Sequence, residues 1–292
     1  MKIINGKKLQ EEILTKIKKA VALLKFIPVF TDVLVGDDPA SAQYVRMKAK
    51  VAEKVGIHFH HASFPGDITT LDLIKEIKIL NNLANMCGII IQLPLPETLN
   101  KRAILDAIDP RLDVDCLGTV ASEKFYRGEK VLSFPTALAC MLILDSLDLD
   151  LNGSPGKNIV VLGRGDLVGK PVTALLRFRG LNPSVISSKT EKKEEIIREA
   201  DVIISGIGKG KYITGNMIKK GAILIDAGTS ESLERSLTGE PNSGIVGDVD
   251  LESVKNVAGF VSPVPGGVGP VTVAMLLNNV LMVAKNLNRK NS

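Results

Sequence analysis

The chain has 292 residues, of which 45% are hydrophobic and 24% charged, and its formal net charge is +5. A length near 300 residues favours two domains, and this composition excludes a disordered or fibrous protein. The three cysteines, Cys87, Cys116 and Cys140, have no CxxC spacing and no neighbouring histidine cluster. We therefore expect neither a metal site nor a disulfide framework. Three separated thiols are instead typical of a protein in a reducing compartment.

Membranes and nucleic acids are not expected partners. The N-terminus lacks the apolar segment of a signal peptide, and the apolar runs are of strand length, well below the ~20 residues of a membrane span. Lysines are scattered along predicted helices, and aromatic residues amount to eight Phe, three Tyr and no Trp, which is unlike a nucleic-acid surface. The mild positive charge suits an anionic small substrate or a phosphorylated cofactor in a soluble, cytoplasmic protein.

Strand-length apolar runs alternate with helical patterns in both halves of the chain, which predicts βαβ units and parallel sheets. In the first half the predicted strands are 29–35, 57–64 and 88–92, and the predicted helices are 39–55 and 69–84. In the second half the predicted strands are 159–162, 185–186, 202–205 and 222–226, and the predicted helices are 169–180, 191–200 and 214–220.

An amphipathic segment, 136–147, and a Gly/Pro/Asn cluster, 152–156, separate the halves, and a long helix at about 271–287 closes the chain. The sequence therefore predicts an α/β protein of two doubly wound βαβ domains, the second of Rossmann type. The predicted ranges are 1–147 with 271–292 for the first domain and 148–270 for the second, with the C-terminal helix returning to the first.

A glycine-rich turn marks the predicted dinucleotide site. The strand 159–162 runs into Gly163, Gly165 and Gly169 and then into a helix. Glycines at such a junction let the backbone approach a pyrophosphate, which the helix N-terminus stabilises. The spacing is one residue longer than the usual fingerprint, but the required strand and helix are present on either side.

The end of the next strand favours NADP over NAD. NAD-binding domains place a carboxylate there for the ribose 2′-hydroxyl, whereas this chain has Ser187, Ser188, Lys189 and Thr190. Hydroxyl groups together with the guanidinium of Arg164 suit a 2′-phosphate.

Tyr44 and Lys48 form a candidate proton-transfer pair. They are four residues apart on a predicted helix and share a face, so each can tune the ionisation of the other. An isolated YxxxK would more often be a surface lysine beside a partly buried tyrosine. Short-chain dehydrogenases also use YxxxK, but there the motif follows the cofactor strand, whereas here it precedes the glycine turn by more than a hundred residues.

Three further segments are candidates for the site. Gln92 ends a predicted strand before two prolines, where open α/β sheets bind ligands. Asp113 and Asp115 follow a predicted helix, and one of these carboxylates can pair with an amine-bearing ligand or simply cap the loop. The proline- and glycine-rich run 262–272 fixes an unusual backbone path ahead of a helix.

Together these segments resemble the bifunctional methylenetetrahydrofolate dehydrogenase/methenyltetrahydrofolate cyclohydrolases across essentially the whole chain. The matching segments are YVRMK at 44–48, QLPLP at 92–96, DVD at 113–115, GR at 163–164 with VGKP at 168–171, and PVPGGVGP at 263–270. The QLPLP and PGGVGP runs are highly specific in this context.

The resemblance implies a role for each matching residue. Lys48 is the implied catalytic lysine, Gln92 modulates its protonation, Tyr44 orients the folate and Asp115 binds the pterin end. The implied substrate contacts are Tyr44, Lys48, Ile91, Gln92, Leu93, Asp115, Pro265, Gly266, Gly267, Val268 and Gly269. The implied NADP contacts are Gly163, Arg164, Gly165, Ser188 and Thr229.

The sequence also departs from the family pattern. Cys116, Leu117, Gly118 and Thr119 replace the usual Gly-Phe-His-Pro, and Gly165 and Ser187 replace a serine and a histidine near the cofactor. The proton-transfer residues are retained.

The resemblance implies NADP-dependent oxidation of 5,10-methylenetetrahydrofolate to the 5,10-methenyl form and its hydrolysis to 10-formyltetrahydrofolate. It also implies a homodimer acting in one-carbon metabolism and purine biosynthesis. Two alternatives remain open: a dehydrogenase without cyclohydrolase activity, and a dinucleotide-sensing protein without catalysis.

Overall fold

The computed structural model describes residues 1–129, 132–151, 156–231 and 244–290. Within these residues the chain forms two compact units. The first unit comprises Glu11–Pro135 with 273–290, and the second comprises Met1–Gln10 with Thr136–Thr272. The predicted boundary cluster at 152–156 lies outside the described residues except for Gly156.

The first unit is a parallel sheet with helices between its strands. In chain order its elements are α1 (Gly6–Val21, which begins in the second unit), β2 (Val29–Val35), α2 (Pro39–Lys54), β3 (His58–Phe64), α3 (Thr70–Asn81), β4 (Met86–Ile91), α4 (Lys101–Leu105) and α5 (Thr119–Tyr126), preceded by β1 (Lys2–Ile3) of the second unit. The strand order is β3-β2-β4, so β2 is central, and all of its residues after Val29 are buried.

The second unit contains a six-stranded parallel sheet. Its further elements are α6 (Pro135–Asp145), β5 (Ile159–Leu162), α7 (Gly169–Phe178), β6 (Ser184–Ile186), α8 (Lys193–Glu199), β7 (Val202–Ser205), β8 (Ile223–Asp226), β9 (Ser230–Glu231), β10 (Ile245–Val246), α9 (Leu251–Val254), β11 (Phe260–Ser262) and the start of α10 (Val268–Lys290). The order is β1-β11-β8-β7-β5-β6, and β9 and β10 form a separate antiparallel pair. The α/β fold with parallel sheets is confirmed.

The units differ from the predicted domain ranges at three places, of which the smallest is residues 271–272, which belong to the second unit. Residues 1–10 belong to the second unit because β1 pairs with β11, a contact between the two ends of the chain. Residues 136–147 also belong to the second unit. They include most of α6, which has almost no polar side chains and buries Ala137, Cys140 and Ile143.

One predicted helix is wrong. The segment 214–220 contains only a short 3-10 helix, Gly215–Met217. Gly215 packs closely against α9, where a Cβ atom would lie 2.3 Å from the Ser253 carbonyl oxygen. The 3-10 turn ends at Ile218, which returns to extended backbone with a φ of −120° and a ψ of 156°.

The last helix returns to the first unit, as predicted. The Asn279 amide donates to the carbonyls of Val114 at 2.8 Å and Ser133 at 2.7 Å, and it is 1% exposed. A Cβ atom at Gly88 on β4 would lie 2.8 Å from Val280, so the absence of a side chain there allows close packing.

Among the described residues, α10 is long and apolar enough over Val268–Arg289 to cross a membrane, so the expectation that every apolar run is of strand length is wrong. About two thirds of that window, 67%, is buried inside the protein, as in the core helix of a soluble protein, so the signal is weak evidence for a membrane span.

Candidate active site

Lys48 lies on the buried face of α2. The helix begins with an Asp38 cap, whose carboxylate accepts the Ser41 N–H at 2.7 Å, followed by Pro39 in the first turn. Within this helix, the spacing of four residues places Tyr44 and Lys48 on one face. Lys48 is only 4% exposed, and its Nζ atom lies 5.1 Å from the centroid of the Tyr44 ring, within cation–π distance.

Gln92 follows β4 and contacts the lysine directly. Its Oε1 atom accepts a hydrogen bond from Lys48 Nζ at 2.8 Å. Its Nε2 atom donates to the Leu93 carbonyl at 2.8 Å, which orients the amide oxygen toward the amine. The backbone N–H of Gln92 continues the ladder to Val33 of β2, so its placement is set by the sheet.

Asp32 is part of this cluster, and the sequence analysis missed it. It lies in the middle of β2 and is 1% exposed, and its Oδ2 atom is 2.5 Å from Lys48 Nζ. Burial raises the pKa of Asp32, and the charge of Lys48 and its hydrogen bond oppose that rise. The available signal was a single carboxylate in an otherwise largely apolar strand, VFTDVLV.

Asp113 organises the loop that carries Asp115. Its carboxylate is 2% exposed and accepts the N–H of Gly118 at 2.8 Å. Burial raises the pKa of Asp113 to about 6, and the backbone N–H groups of the loop, from residues 115 to 118, partly offset the effect. Cys116 in this loop has a left-handed φ of 58°, a conformation that favours glycine.

Asp115 and Tyr44 are electrostatically coupled to the lysine cluster. Burial raises the pKa of Asp115 to about 7; Lys48 lowers it, and Asp113 and Asp32 raise it further. The pKa of Tyr44 is raised by desolvation first and then by the charges of Asp115 and Asp32, although the residue as a whole is 38% exposed. The structure thus brings Tyr44, Lys48, Gln92 and Asp115 together.

The flanking residues predicted to contact substrate differ in exposure. Ile91 is buried in β4 at 2% exposure, so its side chain contributes to the core, whereas Leu93 is half-buried beside Gln92. Their contact with a ligand stays a prediction.

In the second unit, the predicted glycine turn joins β5 to α7. Gly163 has a φ of 103°, and a Cβ atom at Gly169 would lie 2.2 Å from the carbonyl oxygen of Gly163. Gly165 is exposed, with nothing within 4 Å of the Cβ position. The turn is therefore closed internally by two glycines and open to solvent at the third.

The loop after β6 lies beside this turn, because Leu162 and Ile186 are register partners on adjacent strands. The Ser187 N–H donates to the Thr190 hydroxyl at 2.9 Å, which holds a compact turn. Ser188, Lys189 and, on the neighbouring loop, Arg164 are exposed. No carboxylate occurs from 187 to 190, so the residues present fit a 2′-phosphate better than a bare ribose hydroxyl.

Two buried carboxylates hold the next loops along this sheet edge, and the sequence analysis did not assign them a role. Asp248 accepts the Ser205 hydroxyl at 2.6 Å and the N–H groups of Ile207 and Lys209, each at 2.8 Å. Asp226 accepts the Gly228 N–H at 2.9 Å, next to the exposed Thr229. The predicted cofactor residues therefore all lie on loops at the carboxyl ends of β5, β6 and β8.

The proline- and glycine-rich loop also belongs to the second unit up to Thr272. The Gly266 carbonyl accepts the Gly6 N–H at 3.0 Å, and Gly267 donates to the Pro263 carbonyl at 2.7 Å. Val268 and Gly269 begin α10, and Pro265 precedes the turn. Lys48 belongs to the first unit, so the predicted folate contacts of this loop stay a prediction.

In the described ranges, no group of three or more His, Cys, Asp or Glu side chains is placed to hold a metal ion. The three cysteines are free and buried.

Known families and structures match both units. The catalytic-domain model of the tetrahydrofolate dehydrogenase/cyclohydrolases matches residues 4–115, and their NAD(P)-binding-domain model matches residues 135–288. The chain is 39% identical to the bifunctional protein FolD of Nautilia profundicola, over 99% of both chains. It is 37% identical to that of Staphylococcus aureus strain Newman, over 97% of this chain and 96% of the other.

Solved structures agree. The FolD methylenetetrahydrofolate dehydrogenase/cyclohydrolase of Campylobacter jejuni has a TM-score of 0.89 and 35% identity, covering 98% of this chain and 99% of its own. The Trypanosoma brucei enzyme, solved with NADP cofactor and an inhibitor, has a TM-score of 0.91 and 34% identity, covering 98% of each chain. The chain belongs to the tetrahydrofolate dehydrogenase/cyclohydrolase family.

Proposed function

We propose that this protein is a bifunctional folate enzyme of one-carbon metabolism. It oxidises 5,10-methylenetetrahydrofolate to the 5,10-methenyl cation with NADP⁺ and hydrolyses that cation to 10-formyltetrahydrofolate. The observation that carries the proposal is the buried Lys48 amine, hydrogen-bonded to Gln92 at 2.8 Å, within the region that matches the family's catalytic domain. A buried amine with fixed partners suits proton transfer.

The hydrolysis requires proton movements that this cluster is equipped to perform. A water oxygen bonds to the methenyl carbon, the bond from that carbon to one nitrogen breaks, that nitrogen takes a proton, and one proton is released to solvent. Lys48 is the residue that accepts or donates the proton at the reacting nitrogen or water. Gln92 holds the amine in place, because its oxygen accepts from Lys48 while its N–H group is used by Leu93.

Tyr44 and Asp115 bind and orient the folate. Tyr44 is 38% exposed as a residue, and its ring lies beside the Lys48 amine and offers a face to a flat heterocycle. Asp115, whose pKa burial raises to about 7, takes the amine-bearing pterin end as a hydrogen-bond partner. Ile91 and Leu93 flank Gln92 in the first unit. In the second unit, the further residues predicted to contact folate are Pro265, Gly266, Gly267, Val268 and Gly269.

The residues for NADP lie on the second unit. Gly163, Gly165 and the N-terminus of α7 hold the pyrophosphate, and Arg164 and Ser188 hold the 2′-phosphate, with Thr229 on the loop after β8. When bound, NADP⁺ would supply the acceptor for the hydride that leaves the methylene carbon. The absence of a side chain at Gly169 lets α7 begin directly against the turn. The positive end of the helix dipole favours an anion at this end of α7.

We further infer a cytoplasmic homodimer. The support is the agreement with the family at nearly full length, together with β3, whose outer edge pairs with no strand in the part of the chain that the structure describes. Sedimentation of the purified protein measures the oligomeric state directly.

One assay separates the bifunctional enzyme from its two alternatives. NADPH formation and methenyl-folate absorbance are followed together after mixing the protein with methylenetetrahydrofolate and NADP⁺. A bifunctional enzyme forms NADPH and then consumes the methenyl species faster than an enzyme-free control. A dehydrogenase without cyclohydrolase accumulates the methenyl species, and a dinucleotide sensor forms neither product.

A further inference from the structure

We propose that Asp32 is a positioning residue for the cyclohydrolase step: its buried carboxylate holds the Lys48 amine and sets the pH range over which the cluster around it changes charge. This inference rests on the proposed function and deepens it. Nothing in the resemblance assigns a role to Asp32.

The surroundings of Asp32 do not explain its presence through folding stability. Its polar contact among the described residues is the ion pair with Lys48, at 2.5 Å from Nζ to Oδ2, and no other group there bonds either carboxylate oxygen. Its strand is central and otherwise largely apolar. A buried ion pair is often no better for stability than apolar residues of similar size, so stability alone does not account for a carboxylate here.

Asp32 instead acts on the residues of the active site. It contacts Lys48 directly, and its charge acts on both Tyr44 and Asp115. Three of the four predicted catalytic residues, Lys48, Tyr44 and Asp115, therefore interact electrostatically with one carboxylate that solvent does not screen. On β3, the register neighbour of Asp32 is His61, and on β4 it is Ile90.

The substrate explains why such a charge is useful. The methenyl carbon carries a positive charge, and a protonated Lys48 nearby would repel it strongly in a desolvated site. The Asp32 carboxylate, which contacts the amine from the β2 side, offsets the positive charge of protonated Lys48. Gln92 then fixes the direction in which the amine points. The pair thus admits a cation while keeping a proton within reach of the reacting atoms.

The test is the pH profile of kcat for methenyl-folate hydrolysis, corrected for the enzyme-free rate, in Asp32→Asn and Asp32→Val. Removing a negative charge favours the deprotonated form of every neighbour, so a limb of the profile should move to lower pH by about one unit or more. Thr31→Val is the matched control. It removes a buried hydroxyl on the same strand that donates to the His60 carbonyl at 2.6 Å, and its profile should keep the wild-type midpoints.

Each result has a defined meaning. Folded variants with lower but parallel profiles would overturn the inference, since a structural defect lowers the rate equally at all pH values. Unfolding of both Asp32 variants, judged by circular dichroism, would also overturn it, because it would assign Asp32 to the fold. If the wild type hydrolyses methenyl-folate and the pH profiles of the Asp32 variants keep the wild-type midpoints, the role of Asp32 is contradicted but the proposed function is not. Absence of hydrolysis in the wild type contradicts the proposed function, and the inference with it.

Discussion

The Nζ atom of Lys48 and the Oε1 atom of Gln92 are 2.8 Å apart, although the two residues belong to different elements of the first unit, α2 and the end of β4. The contact is direct and half-buried. It joins a residue on the buried face of α2 to the residue that directly follows β4, whose N–H group is bonded to Val33 of β2. Lys48 is thereby fixed in direction as well as in position, which is what a proton-transfer group requires.

Lys48→Met should abolish methenyl-folate hydrolysis, with a loss of about 10²-fold or more, the range expected for general acid–base catalysis. Methionine keeps the length of the side chain but carries no proton. The measurement is kcat for hydrolysis in a folded variant. Lys50→Met, at an exposed position on the same helix, is the control and should keep wild-type activity. Near-normal hydrolysis in Lys48→Met would remove Lys48 from the mechanism.

Arg164→Ala should weaken the preference for NADP⁺ over NAD⁺. Arg164 is exposed at the turn beside the Ser187–Thr190 loop, where a guanidinium can pair with a 2′-phosphate. We expect the wild type to prefer NADP⁺ in kcat/KM, and the variant to lose that preference chiefly through KM for NADP⁺. Arg177→Ala, exposed in the last turn of α7, should leave the ratio unchanged. Equal use of both cofactors by the wild type would contradict the assignment.

Folding stability should rise as pH falls from about 7 toward about 4. Burial raises the pKa of Asp115 to about 7 and the pKa values of Asp113 and Asp226 to about 6, against about 3.9 in an unfolded chain. The folded state therefore binds more protons in this window, so the free energy of unfolding decreases as pH increases through it. Carboxyls with lowered pKa values, such as Asp72 and Asp109, act in the opposite direction only below about pH 4.

Urea unfolding at pH 5.5 and pH 8 measures this difference. Asp115→Asn should reduce it, since asparagine does not titrate, whereas Asp67→Asn, at an exposed position, should leave it at the wild-type value. A protein more stable at pH 8 than at pH 5.5 would contradict the raised pKa values.

Asn279→Ala should destabilise the first unit and disturb the Asp115 loop. The buried amide bonds two carbonyls, those of Val114 and Ser133, and each unsatisfied buried carbonyl costs about 1–3 kcal/mol. We expect a lower midpoint of urea unfolding together with an increased KM for folate. Asn278→Ala, its neighbour on α10, is the control for a shortened side chain. An unchanged KM for folate in Asn279→Ala would show that the contact of α10 with Val114 does not position the Asp115 loop for substrate binding.

Much of the fold could be predicted from local patterns. The strand 29–35 and the helix starts at Pro39 and Gly169 follow from apolar runs and from residues that begin helices, which are properties of adjacent residues. The pairing of β1 with β11 could not be predicted in this way, because it joins segments more than 250 residues apart. The same holds for α6, whose membership of the second unit depends on which surface covers it.

The active site was predictable where a side chain lies in a recognisable motif. Lys48 and Gln92 are predictable because each lies in a recognisable motif. Asp32 lies in no motif, and its role depends on the contact between its carboxylate on β2 and the Lys48 amine on α2. Asp226 and Asp248 were missed for the same reason. Apart from the Ser205 hydroxyl, the donors described for them are backbone N–H groups, which leave no side-chain pattern in the sequence.

Gly169→Ala should disrupt the dinucleotide turn, whereas Gly165→Ala should not. A Cβ atom at position 169 would lie 2.2 Å from the Gly163 carbonyl oxygen and 2.9 Å from the Arg164 nitrogen, and both are backbone atoms that cannot rotate away. Relief requires the turn to open, at a cost of about 1–3 kcal/mol, comparable to overpacking a core.

At Gly165 nothing lies within 4 Å of the Cβ position, so alanine fits without displacing the protein. We expect a lower thermal midpoint in Gly169→Ala only, and a rise in the dissociation constant for NADP⁺ of about tenfold or more, since about 1.4 kcal/mol corresponds to a factor of ten. Titration calorimetry with NADP⁺ measures the affinity. Equal behaviour of the two variants would show that the close approach of Gly163 and Gly169 does not shape the cofactor site.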